Sequence, residues 1–387
     1  MTFVLALAGT GFAWPPGGNG GGGGGGGGGE DPPPPDSELP PVEYIPAYVA
    51  TATNELLVND LNDSAMAVGW YVHTSGVQNG WIYDPSVDVS TAIDLNDLAI
   101  DGLDDDGDGL NDWYIASAVG LNNNGLVVGY VRPFDDPTYR AGFVLDLDTM
   151  IVHSLPDQNL ADSYARRVND NGDVLGQFVG ADDLHYAYVF NPGLRGDADA
   201  DIEVINTPVG SQRTELSNPP PGVPTQIVGG ANDGSATGVI FQYTRGGSAV
   251  YRYDLPPGSV TINDSGVIAG TGYEIIPLKG KTKSRTDYFL WRDSGTVEEF
   301  IYDSSLNSGC REVINSGTAL SGAFDNHVLF HDDYGFVHVV ALIPGGGHPV
   351  GFGNACMNNV GPLGFGQIAG VIPATGELYI LTPFETP

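Results

Sequence analysis

An all-β fold, a β-propeller of about seven four-stranded blades, is predicted by three observations on this sequence. The stretch Val168-Asn169-Asp170-Asn171-Gly172-Asp173-Val174-Leu175-Gly176 recurs in degenerate copies from residue 61 to residue 370. Each copy is followed by an aromatic-rich extended segment, such as Gly80 to Asp84, Gly142 to Asp146 or Tyr288 to Arg292. Helical periodicity is nearly absent, because no long segment carries apolar residues at helical spacing without Gly or Pro intruding.

The clear copies run Leu61 to Gly69, Leu121 to Gly129, Val168 to Gly176, Ile262 to Gly270 and Ile314 to Gly322, and in all five the Asn and the closing Gly stand seven apart. Asn232 to Gly238, one residue short, and Asn358 to Gly370, with an insertion, fill the gaps and bring the units to seven. Each copy reads as a tight hairpin: an apolar residue ends one strand, Asn or Asp with Gly makes the turn, and a Val/Ile/Leu/Ala run begins the next strand. The closing Gly predicts a bulge or the close approach of another backbone. Adding the aromatic strand and a further extended segment, such as Ile151 to Leu155, gives about four strands per unit. Residues 44 to 387 divided by seven give about 49 residues each, the length of a propeller blade. Six to eight blades fit the same spacing, and intervals of 31 to 63 between motif Asn residues leave a solenoid or sandwich open. Either Tyr44 to Val58 or Leu378 to Pro383 is expected to complete a shared blade that closes the ring.

The folded domain is expected over 44–387, behind two segments that cannot build a core. Residues 1–13 hold an apolar run too short to span a bilayer, with a small-x-small ending at Gly11-Phe12-Ala13. The first Lys or Arg is Arg132, so the run is an atypical signal-like segment without a cationic start. Residues 14–43 form a Gly/Pro-rich tether, expected to be disordered, with glycine from 20 to 29 and proline from 32 to 35. No Cys follows the apolar run, which argues against a lipoprotein anchor, and no stretch predicts a transmembrane span.

With 48 acidic and 14 basic residues, the net charge of -34 disfavours nucleic acid and anionic lipid as partners. The basic cluster Lys279, Lys281, Lys283 and Arg285 reads as an exposed hairpin in the fifth unit. Cys310 and Cys356 are the only cysteines, and in an oxidising compartment they are expected to form a disulfide; the alternative is a pair of small buried thiols. The aromatics Trp70, Trp81, Tyr83, Phe143, Tyr188, Phe289 and Trp291 are expected between blades rather than on a sugar.

The sharpest chemical motif is Asp104-Asp105-Asp106-Gly107-Asp108-Gly109-Leu110-Asn111-Asp112. Side-chain oxygens of Asp104, Asp106, Asp108 and Asp112 with the Leu110 carbonyl have the spacing that wraps one hard cation, Ca2+, and the loop resembles those of EF-hands, thrombospondin type 3 repeats and dockerin-like segments. Ile115 stands where an EF-hand has its bidentate Glu, so the affinity expected is weak, roughly millimolar, and the role structural. A second acidic run, Asp197, Asp199, Asp201 and Glu203, lacks the turn glycine and reads as a solvated edge. His327 and His331 could share a strand face near Asp332 or Asp333, a weak metal signal beside the bland reading of polar strand residues.

The pattern Asn-Asp-x-Gly-x-Val-x-Gly followed by an Ala/Gly-Phe-Val-Leu strand resembles the HAF-type extracellular repeats of bacterial secreted and cell-surface proteins, over most of residues 48 to 383. That resemblance implies an extracellular, cell-surface or periplasmic β-rich protein and brings no catalytic set. No Gly-x-Ser-x-Gly elbow, His-Glu-x-x-His pair or phosphate loop is present. The expected function is therefore a non-catalytic binding or scaffold protein, monomeric, recognising a protein or glycan partner. The alternative is a polysaccharide-acting enzyme, a lyase or glycoside hydrolase, with carboxylates at the channel mouth. A third reading, a surface-layer component, predicts calcium-dependent self-association.

Overall fold

The computed structural model describes residues 39–386, apart from 50–55, 89, 156–161, 195–201, 232–238, 253–257, 279–280, 292–296, 302–309, 317, 323–326, 332, 345–354 and 373–374. The signal-like run and most of the tether lie outside the described residues, and the folded unit runs from Glu38 to Pro387. After β1 (Val42–Val49), the first sheet holds β2 (Leu56–Leu61), β3 (Ala67–Val72), β4 (Gln78–Tyr83) and β5 (Ile93–Asp94). The second holds β6 (Trp113–Leu121), β7 (Leu126–Pro133), β8 (Ala141–Asp146) and β9 (Ile151–Ser154). A seven-stranded sheet follows: β10 (Tyr164–Val168), β11 (Val174–Val179), β12 (His185–Phe190), β13 (Glu203–Leu216), β14 (Gln226–Ala231), β15 (Val239–Thr244) and β16 (Val250–Arg252). Next come β17 (Gly258–Ile262), β18 (Ile268–Leu278), β19 (Lys281–Trp291) and β20 (Val297–Ile301), then β21 (Cys310–Val313), β22 (Ala319–Gly322), β23 (His327–His331) and β24 (Gly335–His338). The last sheet is ordered β1-β27-β26-β25, with β25 (Ala355–Met357), β26 (Ile368–Val371) and β27 (Leu378–Glu385). Three 3-10 turns and no α-helix occur among the described residues.

The fold is an all-β propeller, with one correction to the blade count. Six hydrogen-bonded sheets stand where seven were expected. The cause is β13, whose 14 residues pair first with β12 from Glu203 to Pro208 and then with β14 from Val209 to Leu216. One unbroken strand thus merges two of the repeat units. The ring is closed by both candidate segments together, since β1 pairs with β27 from Val42↔Glu385 to Val49↔Leu378.

Each sheet buries both faces, which a single sheet in water could not do. On β7, Val127 packs back toward Val68, Ile82 and Ile115, while Val128 packs forward onto Ala165, Val174 and Tyr188. The two-residue period of a strand divides its apolar side chains between its two neighbours. The last interface, where Cys356, Ala369 and Ile380 meet Leu56, Val58 and Trp81, ties the closing sheet to the first. Fully burying one such Val, Leu or Ile is worth about 1.5–3 kcal/mol, so the ring is stable only when every sheet has both partners.

The closing glycine of the motif is a seat for an aromatic ring. Gly69 lies opposite Trp81, Gly129 opposite Phe143, Gly176 opposite Tyr188, Gly229 opposite Phe241 and Gly370 opposite Tyr379. A Cβ at Gly69 would stand 2.8 Å from Trp81 Cζ2, one at Gly229 2.8 Å from Phe241 Cε1, and one at Gly176 would collide with the Tyr188 ring. A bulge faces several of these glycines: the register slips between Val58 and Asp60, between Ala118 and Gly120, and between Ala165 and Arg167. Of the aromatics expected between blades, Trp81, Phe143 and Tyr188 are almost fully buried and Tyr83 and Trp291 are buried, Trp70 is only half-buried, and the side chain of Phe289 lies outside the described residues.

Candidate functional site

The motif turns gather at one mouth of the central channel, where their polar residues bond from unit to unit. Asn62 shows how one turn is built: its Oδ1 accepts the N–H groups of Ser64 and Met66, both at 3.0 Å, while its Nδ2 donates to the Asn122 carbonyl at 3.1 Å. Asn122 reaches Asn169, Asn169 reaches Ser217, Asn263 reaches Ile314, and Asn358 reaches Asn62, all through Nδ2 to a carbonyl at 2.8–3.2 Å. One residue later a second ring closes completely. The N–H of Asp63 donates to Oδ1 of Asn123, and the same bond repeats from Asn123 to Asp170, Asp170 to Asn218, Asn218 to Asp264, Asp264 to Asn315, Asn315 to Asn359 and Asn359 back to Asp63, at 2.7–3.1 Å.

Two repeat copies sit differently from their sequence assignment. The turn expected at Asn232 to Gly238 is instead Ser217 to Thr225, with Asn218 in the closed ring and Gly229 under Phe241; residues 232–238 lie outside the described residues. In the Ile314 to Gly322 copy the register is one residue late, so Ile314 takes the strut position, Asn315 belongs to the closed ring, and Ser321 pairs with Cys310. Ile314 has no amide to pass on, and hydroxyls of Ser316 and Thr318 reach the Gly364 carbonyl, each at 2.8 Å.

The order of charges in the closed ring has a physical logic. Its seven members alternate Asp63, Asn123, Asp170, Asn218, Asp264, Asn315 and Asn359. Ionised Asp only accepts hydrogen bonds, whereas Asn also donates, so each Asn can bridge carboxylates that would repel as neighbours. Asn123 Nδ2 donates to Asp63 and Asp170 at 3.0 Å each, Asn218 Nδ2 donates to Asp170 at 2.8 Å, and Asn315 Nδ2 donates to Asp264 at 2.6 Å. A ring of seven holds at most three carboxylates with none adjacent, and this one holds three. Burial, opposed by the bonds from Asn315 and Asn218 and reinforced by the charges of Asp170 and Asp63, raises the Asp264 carboxyl above its ordinary range.

Behind the ring lies a cavity of about 120 Å³ lined by Asp60, Arg167, Glu215 and Thr261 among others. The bulges after Val58 and Ala165 help set the placement of Asp60 and Arg167. Arg167 holds Glu215 through Nε at 2.7 Å and Nη2 at 3.3 Å, and its Nη1 donates to the Val119 carbonyl at 3.1 Å. Asp60 accepts the N–H groups of Leu61 at 3.0 Å and Leu121 at 2.9 Å. Burial pushes the Asp60 carboxyl up, with Arg167 pulling it back. These residues escaped sequence reasoning, yet one signal was there: Asp60, Arg167 and Thr261 each stand two before a motif Asn, at a column with no fixed residue type.

The Asp-rich loop partly assembles as expected. Carboxylate oxygens of Asp104, Asp106 and Asp108 lie within 4.8 Å of one another. Asp104 accepts the N–H groups of Gly107 and Gly109 at 2.7 and 2.9 Å, and both glycines have positive φ, +75° and +85°. Asp112 is turned onto the N–H groups of Asp105 and Asp106 instead of joining the trio, and Leu110 is exposed, its N–H donating to Asp108 at 2.8 Å.

Among the described residues, the remaining candidates are engaged in contacts within the fold. His331 donates from Nε2 to the Leu363 carbonyl at 2.9 Å, accepts the Asp333 N–H on Nδ1 at 3.1 Å and stacks on Phe365, so both ring nitrogens are spent. His327 is fully buried, with Nε2 2.7 Å from Tyr379 Oη. Cys356 is a buried thiol 4.0 Å from the Ala369 carbonyl, packed toward the first sheet; the side chain of Cys310, its expected disulfide partner, lies outside the described residues. Glu203 accepts from Tyr243 Oη, while Asp197, Asp199, Asp201 and the side chains of Lys279, Lys281, Lys283 and Arg285 lie outside the described residues.

No family model matches this chain, and no curated protein matches it. Among solved structures, TolB from Acinetobacter baumannii aligns at 13% identity and a TM-score of 0.38, over 84% of this chain and 65% of TolB, so this chain spans less than two thirds of that protein. The β-propeller domain of the Trilobed protease from Pyrococcus furiosus aligns at 8% and 0.45, over 74% of this chain and 84% of that one. YCF48 bound to D1 peptide aligns at 12% and 0.45, over 89% and 98%. At these identities the likeness is one of fold alone.

Proposed function

We propose that this chain is a secreted or cell-surface, non-catalytic propeller that recognises a protein or glycan partner at its ringed channel mouth, with Ca2+ held weakly and structurally in the Asp104–Asp112 loop. The observation that carries the reading is the closed ring of seven Asp and Asn residues. Its carboxylates and amides are committed to one another, which makes a rigid polar rim rather than a set of groups poised to exchange protons. The resemblance of the repeat to HAF-type extracellular repeats supports export, and the acidic trio within 4.8 Å supports the calcium assignment. The discriminating experiment is binding to immobilised neutral and anionic glycans beside a turnover assay on the same polymers. Binding without product release, lost in Asn218→Ala, fits the proposal; product release sinks it. Calcium-titrated thermal unfolding, with an Asp106→Ala, Asp108→Ala double variant alongside, tests the ion separately.

The enzyme reading keeps one favourable observation, the buried Asp60 carboxyl, which burial biases toward the protonated form a general acid needs. Against it, Asp60 already accepts two backbone N–H groups and Glu215 is paired with Arg167 through both oxygens, so each is held by donors of the fold itself.

A further inference from the structure

We infer a second binding site, for a single carboxylate group of a small molecule, where β7 and β10 pack together at the strand ends farthest from the ringed mouth. Tyr130 and Arg132 share one face of β7, and on β10 Arg166, at the bulge, lies over the Tyr164 ring with both side chains reaching Gln177 Oε1. The two tyrosine rings meet edge to face, 6.5 Å apart. Three guanidiniums lie on them: Arg132 and Arg140 stand 5.5 and 5.6 Å from the Tyr130 centroid, and Arg140 and Arg166 stand 5.1 and 6.0 Å from that of Tyr164.

Most of the polar groups here are fixed in place by their own bonds, Arg166 Nη1 among them, which donates to Gln177 Oε1 at 3.4 Å. Gln78 Nε2 donates to Tyr130 Oη at 2.9 Å, Tyr164 Oη donates to Gln177 Oε1 at 2.5 Å, and Arg140 is paired with both oxygens of Asp162. Arg132 is the exception. Its Nε is sealed from water with no hydrogen-bond partner, and it makes no ion pair among the described residues. A guanidinium is a rigid fork of five donors, always charged, whose geometry matches a carboxylate. Buried donors in folded proteins are almost always satisfied, so the orphan Nε of Arg132 marks where an incoming oxyanion would complete the set.

The rest of the chain restricts what can bring that oxyanion. A net charge of -34 repels a polyanion over its length, whereas a lone carboxylate needs to escape only the field within a Debye length, about 8 Å at physiological salt. The ligand is therefore a monocarboxylate, an acidic sugar or a carboxylic amino acid derivative. The site is remote from the mouth, and its test is independent of the reading proposed there.

The experiment titrates the full chain with sodium glucuronate and, separately, N-acetylglutamine, with glucose and polygalacturonate as controls, following affinity by calorimetry and the Arg Nε–H resonances by NMR. One or both monocarboxylates are expected to bind at millimolar Kd and shift one Arg Nε–H signal, identified by its absence from Arg132→Lys. Which arm binds names the source of the carboxylate. Arg132→Gln is expected to weaken binding tenfold or more at unchanged Tm, since the side chain gives up no hydrogen bond. Arg132→Lys, which keeps the charge and loses the fork, should fall between. Failure of both monocarboxylates to bind, undiminished binding by Arg132→Gln, or tighter binding of polygalacturonate per carboxylate overturns the proposal.

Discussion

Asn359 donates its backbone N–H to Asp63 Oδ1 at 3.1 Å, a bond between residues 296 positions apart. It closes the hydrogen-bonded ring at the same junction where Asn358 Nδ2 reaches the Asn62 carbonyl at 2.8 Å. In the closed ring the last turn of the chain thus meets the first as any other turn meets its successor, and that ring has no chemical seam.

Replacing Asn123 by Asp puts three carboxylates in a row at residues 63, 123 and 170 and removes the amide that bridges them. Asn123→Asp should lower Tm at pH 7 and recover near pH 4, where the added charge is neutralised. Asn123→Ala should cost about 1–2 kcal/mol with no such recovery. Thermal unfolding across pH separates the two.

Asp264 has a carboxyl raised above its unfolded value. The folded state then binds its proton more tightly than the unfolded state, so the stability this group contributes is full in acid and is lost as pH rises through its native value. Asp264→Asn should flatten that segment of the stability curve, and it should be no less stable than the parent at pH 7. A steeper curve in the variant would contradict the assignment.

Gly176→Ala should destabilise by about 1–3 kcal/mol, because the new Cβ meets the Tyr188 ring. The cost should shrink when Tyr188 is first cut to Ala, a coupling that a double-mutant cycle in urea reads directly.

Glu215 is buried and Arg167 largely so, at 6% and 14% side-chain exposure. Arg167→Met leaves the Glu215 charge unpaired in the channel and should cost about 3–5 kcal/mol. Adding Glu215→Met should restore much of that loss, and a double variant no better than the single one would show that Arg167 acts elsewhere.

The architecture was legible because turn chemistry and two-residue periodicity are local. Asn62, Asn122 and Asn169 announce their turns, and the aromatic after each closing Gly announces the ring that needs a bare backbone to lie on. What failed was whatever depends on distant partners. The turn at Asn218 hides behind Pro219, Pro220 and Pro221, so its place was given to Asn232. The continuity of β13 is decided by hydrogen bonds to β12 and β14 and leaves no mark in composition. Asp60 and Arg167 sit at a variable column, and only the assembled channel brings them to one wall. The approach of Asp104, Asp106 and Asp108 could be read because their spacing is local, and Asp112 departed from the trio because two nearby N–H groups captured it.

The eight-residue pairing of β1 with β27 carries a mechanical consequence. Because Val42 lies opposite Glu385, the two ends of the folded unit leave from one corner of the same sheet. A pull that separates them bears first on that corner pair and then on each pair behind it, so the ladder opens as a zip. Heating must break the eight pairs together with the apolar contacts on both sides of the sheet, whereas traction on the ends meets them one at a time. The closure that resists melting is the element that yields first under load.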